Sequence, residues 1–142
     1  MTTYNTIPSL PVTGGDLSAY NNAGTDIPAG TAVIVDAAFV PSGDFPMGVK
    51  IPATAGSIAE PAGVTVEIIK AGQVGRVRRA GSYPATASGT VTVGDFLQVD
   101  SAAGKEGRVK TKGAGLAQVG RALNSGVDGD LINTDVILAL NA

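Results

Sequence analysis

Apolar positions along this chain come in short runs separated by Gly, Pro, Asn and Asp, and within the runs apolar and polar residues often alternate. Alternation is the period of a strand, whose successive side chains point to opposite faces of a sheet. The runs at 32–35, 47–51, 64–69, 74–80, 91–99, 108–111, 116–123 and 131–140 are strand candidates. In the third, Val64, Val66 and Ile68 share one face. In the last, Ile132, Thr134, Val136, Leu138 and Leu140 do the same. Gly94-Asp95 places a tight turn or bulge inside 91–99. Run 116–123 reads as a strand or one helical turn, with Gly120 interrupting the helix. The pattern predicts an all-β fold, a small Gly/Ala/Val-rich β-barrel or sandwich with at most one short helix. A parallel α/β fold would need helices of about 10–15 residues between strands.

Residues 1–25 follow a different rule. Pro8, Pro11, Gly14, Gly15, Asn21, Asn22 and Gly24 break every period, and Ile7, Leu10, Val12, Leu17 and Tyr20 stand singly among polar residues. One reading is a frayed terminus. The other is an extended N-terminal arm that orders on a partner through those five side chains. The expected division is therefore an arm over 1–25 and a β-domain over 26–142. Inside the domain, Ile27-Pro28-Ala29-Gly30-Thr31-Ala32-Val33-Ile34-Val35-Asp36 echoes Val91-Thr92-Val93-Gly94-Asp95-Phe96-Leu97-Gln98-Val99-Asp100. Both place Gly just before a strand. The echo reads as the shared grammar of β-turns, with a duplicated hairpin as the alternative.

Composition narrows the chemistry. Glycine accounts for 20 of 142 residues and proline for 8, while aromatics are 4%. A core made mainly of Ala, Val, Ile and Leu with frequent turns favours short strands. Without cysteine there are no disulfides or thiolates. Without histidine the commonest general base and transition-metal ligand are missing. No Gly-x-Ser-x-Gly elbow and no Walker or dinucleotide loop occurs; Gly72-Gln73-Val74-Gly75 and Gly113-Ala114-Gly115 read as turns. Lys105 sits at a hairpin tip, but its neighbours do not match a lipoyl or biotinyl carrier. Asp128-Gly129-Asp130 lacks the rest of a calcium loop and reads as a turn. The expectation is a non-enzymatic protein with no cofactor and no metal.

Net charge is −2, which disfavours a nucleic-acid binder. No apolar run approaches the ~18–20 residues of a membrane helix, and the N-terminus lacks the features of a signal peptide, so the chain is expected to be made and used without secretion. Basic residues gather in two places: Lys70, Arg76, Arg78 and Arg79, then Lys105, Arg108, Lys110 and Lys112. Were both in one sheet, Arg76, Arg78, Arg79, Arg108 and Lys110 would form a contact patch for an acidic protein surface. The plainer reading is a solvated strand face whose charges discourage edge aggregation.

One resemblance draws these features together. The succession Ile27-Pro28-Ala29-Gly30-Thr31-Ala32-Val33, Gly48-Val49, Ile69-Lys70-Ala71-Gly72-Gln73-Val74, Val93-Gly94-Asp95-Phe96-Leu97, Val119-Gly120-Arg121-Ala122-Leu123 and Asp128-Gly129-Asp130-Leu131 resembles the capsid cement, or head decoration, proteins of tailed bacteriophages. It covers roughly residues 26–140 and rests on spacing and turn grammar. The resemblance implies a structural protein on the outer surface of the mature head, commonly a homotrimer, that ties neighbouring major capsid protein subunits together. It gives the arm a role in reaching capsid subunits. The competing class is a non-catalytic carbohydrate- or receptor-binding module of a phage tail or cell surface. The scarcity of aromatics and the lack of Trp count against sugar stacking.

Overall fold

The computed structural model describes residues 15–41 and 47–139. Ten strands lie along them: β1 (Asp16–Asn21), β2 (Ala32–Val35), β3 (Gly48–Lys50), β4 (Pro61–Thr65), β5 (Val74–Arg78), β6 (Ala80–Thr86), β7 (Phe96–Val99), β8 (Val109–Thr111), β9 (Gln118–Ala122) and β10 (Leu131–Ala139). No helix occurs among the described residues, and the fold is all-β as the pattern predicts. Strands β1 to β5 close into a barrel in the order β1-β3-β2-β4-β5. Strands β6 to β10 form a sheet in the order β6-β10-β9-β7-β8.

These two units are the same structure twice. Read from its other edge, the sheet runs β8-β7-β9-β10-β6, which matches β3-β2-β4-β5-β1 strand for strand. The registers correspond as well. Val35↔Val49 becomes Val99↔Val109, Val33↔Gly63 becomes Leu97↔Gly120, and Val64↔Arg78 becomes Arg121↔Asp135. The parallel β1–β3 contact Asn21↔Val49, which closes the barrel, has its counterpart in the single parallel bridge Ala87↔Val109. The echo seen in the sequence therefore marks equivalent turns of two five-stranded units, a duplication larger than a hairpin.

The local cause is visible at those turns. Ile27 and Val91 are buried and bridge to Ile69 and Gly126 across each unit. Three residues later Gly30 and Gly94 take φ of 76° and 91°, a left-handed conformation costly for any side chain. The chain then enters β2 or β7. Each of those strands is followed by an aspartate, Asp36 or Asp100, whose Oδ1 accepts the N–H two residues on at 3.0 Å. This is the Asx-turn chemistry that stops a strand.

Inside the barrel, Ala19, Val33, Val49, Ala62 and Val77 pack around Ile27 and Ile69. The second core is built on Leu97, Val99, Val109, Val119, Ile132 and Val136, and the outward-facing Ala32, Ile34 and Val64 of the barrel belong to it. The two units are thus fused through a shared apolar layer.

Several expectations shift. β1 lies within the segment read as an arm, so residues 16–21 are a barrel strand. Run 64–69 is displaced: β4 starts at Pro61 and stops at Thr65, because the Thr65 hydroxyl donates to Pro28 O at 2.7 Å and accepts the Thr31 N–H at 3.0 Å. Beyond it Ile68 is exposed while Ile69 is held inside by Ile27, so Val64, Val66 and Ile68 do not share a buried face. Only residues 96–99 of run 91–99 are strand, the rest being the turn. Run 116–123 is a strand, β9. β10 buries Ile132, Thr134 and Val136 as its alternation predicts. β6 carries no clear sequence signal, since Gly81 and Pro84 interrupt it.

Candidate functional site

Of the five side chains assigned to the arm, Ile7, Leu10 and Val12 lie outside the described residues. Leu17 and Tyr20 are on β1. Leu17 packs against the barrel core, and the Tyr20 ring stacks on Phe39 with centroids 5.1 Å apart. Both are thereby part of the β-domain, which corrects their assignment to the arm. The reason is pairing: β1 aligns five of its residues with β5, from Asp16↔Arg78 to Tyr20↔Val74. Next to them Asn21 is fully buried. Its side-chain amide donates to Thr25 O at 2.8 Å and to Ile69 O at 2.9 Å, and its oxygen accepts the Ala23 N–H at 2.9 Å. Sequence reasoning took Asn21 for a breaker, yet it anchors the end of a strand.

The basic residues are not brought together in one sheet. Arg76 and Arg78 are on β5 of the barrel, Arg79 sits at the bend into β6, and Arg108 and Lys110 lie just before and on β8 of the other unit. Most are matched by carboxylates. Arg78 forms a two-pronged clasp on Asp16, with Nε–Oδ1 at 2.8 Å and Nη2–Oδ2 at 3.2 Å. Its remaining nitrogen donates to Ser82 O at 2.8 Å, and its guanidinium lies over the Tyr83 ring. Arg76 reaches Asp16 at 3.7 Å and Glu67 at 3.5 Å. Arg108 and Lys105 meet Asp128, and Lys110 meets Asp100. The five residues therefore fall into separate clusters, most of them ion-paired. A strand period places Arg76 and Arg78 on one face but carries no information about which acidic residues lie across from them.

The Asp16–Arg78 clasp has a position of interest. Gly15 O accepts the Arg79 N–H, so β1 begins at the junction of the two units. The clasp, half-buried on its arginine side, fixes that end of β1. Charge-assisted bidentate hydrogen bonds of this kind are the strong class. Arg78→Ala leaves a mostly buried Asp16 without its fork and is expected to lower stability by about 2 kcal/mol, read from urea denaturation. A variant as stable as the parent would return Arg78 to the role of a free surface cation.

Three carboxylates titrate below their ordinary range: Glu106, held there first by the Thr54 hydroxyl, and the pair Asp100 and Asp128. Burial pushes Asp100 up, but the Ser88 hydroxyl, the Ala102 N–H and Lys110 together outweigh it. Asp128 is lowered first by its hydrogen bond from Lys105, then by the Gly89 N–H. Both carboxylates serve to join loops. Asp128-Gly129-Asp130 is the turn its sequence suggests, with Asp130 Oδ2 accepting the Val127 N–H at 2.9 Å. Among the described residues no three His, Cys, Asp or Glu converge as a metal-binding group. Two half-open clefts lie among the described residues. One is lined by Ile34, Val35, Lys50, Ser57 and Glu60, another by Val35, Glu60, Pro61, Arg79 and Leu138.

The sequence match decides the family. A family model described as phage cement protein matches residues 12–136, nearly the whole chain. The chain belongs to the phage cement protein family. Comparison with curated proteins returned no match. Among solved structures, the N base of the head fiber gp8.5 of bacteriophage phi29 is similar, with a TM-score of 0.56 at 16% identity. The alignment covers 86% of this chain and 92% of that one, and it supports the fold. As a cement-family protein the chain is a structural, virion-associated component of a phage capsid. The family match begins at residue 12 and so takes in all of β1, in line with its place in the barrel.

Proposed function

We propose that this cement-family protein decorates the outer surface of the mature head without catalysis, as a homotrimer that stabilises contacts between neighbouring major capsid protein subunits. The observation that carries this reading is the family match over residues 12–136. The fold suits the role. A fused pair of β-units with ion-paired loops offers a rigid body, and repeated weak contacts on a symmetric lattice add up to avidity. The segment preceding Gly15, with Ile7, Leu10 and Val12, would supply apolar anchors to the capsid. Residual cationic surface at Arg76, Arg79 and Lys110 would meet acidic capsid loops, a smaller share than an unpaired patch would give.

Co-sedimentation tests the proposal. Purified protein is mixed with expanded heads, and separately with unexpanded proheads, of the phage that encodes it. Saturable binding to expanded heads in a fixed ratio to capsid subunits is expected. Absence of binding to both particles would overturn it and favour a ligand-binding module instead.

A further inference from the structure

One equivalent place in the two units is built differently. The pair Ile34↔Lys50 of the first corresponds to Gln98↔Lys110 of the second. In the second unit the connection from β8 to β9, residues 112–117, folds onto Gln98, whose Oε1 accepts the Gly113 N–H at 2.8 Å. Lys110 there meets Asp100 at 3.5 Å. In the first unit the connection from β3 to β4 is longer, residues 51–60, and is drawn against the second unit. Ala55 N–H donates to Ser101 O at 2.7 Å, and the Ser101 hydroxyl donates to Gly56 O at 3.1 Å. Ala55 holds φ at 57°, and among the described residues it is the one non-glycine residue in the left-handed range. Such strain persists only where the surrounding contacts enforce it, and it gathers at functional segments. The loop becomes one wall of a cleft, through Ser57 and Glu60, instead of a cover.

The two half-open clefts share Val35 and Glu60 and so adjoin, with volumes of about 290 Å³ and about 250 Å³. Both units contribute: Val35 packs against the barrel core and Leu138 against the second core. Lys50 lines one cleft, Arg79 lines the other, and Glu60 belongs to both. Among the described residues the cationic side chains of Lys50, Arg79 and Arg121 alone lack an ion pair or hydrogen bond, and two of these three line the clefts. Lys50, unlike its equivalent Lys110, makes no pair with the aspartate that follows its partner strand.

We propose that this composite groove receives an extended acidic segment of the capsid shell, with carboxylates on Lys50 and Arg79 and apolar side chains on Val35, Pro61 and Leu138. Charge sets the chemical class. Two unpaired cations against the single carboxylate of Glu60 leave the groove short of negative charge, and a carboxylate on the Arg79 fork makes a charge-assisted contact. Shape sets the form. A small-molecule pocket buries most of its ligand, whereas two adjoining half-open clefts hold a length of chain laid across them. No aromatic side chain lines either cleft, so neither a sugar ring nor a base finds a stacking surface. The segment's carboxylate supplies to Lys50 what Asp100 supplies to Lys110 within the chain. Resting on the capsid-binding reading, this gives that contact a surface and a partner chemistry.

The test is co-sedimentation of the full chain with expanded heads of the phage that encodes it, for the parent, Lys50→Gln, Arg79→Gln, the double variant and Arg121→Gln. Lys50 is half-buried and Arg79 and Arg121 are exposed, and each variant is expected to melt with the parent by circular dichroism. Lys50→Gln and Arg79→Gln are each expected to weaken binding about fivefold, the double variant about twentyfold, and Arg121→Gln to leave it unchanged. The chain has no cysteine, so Ser57→Cys gives a second readout. Its reaction with a maleimide, followed by the mass of this chain, should slow several-fold on heads and recover on release. Parental binding by the double variant, an equal loss in Arg121→Gln, or a Ser57→Cys as reactive on heads as in solution would overturn the inference while leaving capsid binding in place. A parent that binds neither heads nor proheads would refute the capsid reading itself, and the groove's partner with it.

Discussion

Gly63→Ala is expected to cost about 3–5 kcal/mol, enough to leave much of the protein unfolded at ordinary temperatures. A Cβ built on Gly63 would lie 2.1 Å from the Arg78 carbonyl oxygen, which is backbone of the paired strand and cannot swing aside. The residue also holds φ at 139°, outside the range of ordinary side chains. Gly120 is its equivalent in the second unit, and a Cβ there would meet Asp135 O at 2.5 Å. Its φ is not left-handed, so Gly120→Ala carries the steric part alone and should cost about 2–3 kcal/mol. Gly24→Ala, where a Cβ meets nothing within 4 Å, is the control and should change little. Urea denaturation with a fixed m-value ranks the three. A Gly63→Ala protein within about 0.5 kcal/mol of the parent would show that β4 and β5 do not approach as described.

Removing β1 is the second large effect. A chain beginning at residue 22 loses the strand that joins β5 to β3, and with it Ala19 and the buried Asn21. The barrel opens, Ile69 and Val77 meet water, and β3 and β5 become unpaired edges prone to aggregation. Loss of the cooperative thermal transition, followed by circular dichroism, is expected. A chain beginning at residue 15 keeps β1 and should melt with the parent, while its weakened retention on heads would report the contribution of the preceding segment. Parental melting of the chain beginning at residue 22 would mean that β1 is an appendage after all. The place of the cut is the point: a deletion through residue 20 would confuse loss of an arm with loss of the barrel.

The difficulty of seeing β1 in the sequence has a physical source. Asp-Leu-Ser-Ala-Tyr-Asn offers one large aliphatic residue and ends on Asn, a turn former. Its stability as a strand comes from the ladder with β5, from the Asp16–Arg78 clasp and from the Asn21 amide bonded to Ile69 O, all with partners distant along the chain. β6 escaped for the opposite reason. It contains Gly81 and Pro84, yet β10 supplies seven consecutive partners that hold it. The basic residues were misgrouped because a strand period specifies faces and leaves sheet membership open.

Much else was legible locally. The alternation of β10, the turn at Gly94, the strand at 32–35 and the turn before Leu131 depend on side-chain period and on glycine's freedom at φ > 0, properties that a residue carries wherever it sits. Those properties determined the all-β class, the short strands and the punctuation between them, and the turn spacing was sufficient to suggest the cement family. The tertiary structure alone decided that the echoing turns belong to two fused five-stranded units, that β1 closes the first of them, and that most of the clustered basic residues meet carboxylates from β1 and from loops. It also decided which outward face of the barrel is covered by the second unit. Those features rest on pairing and burial between residues far apart in the chain, where register and the identity of the opposing strand carry the energy.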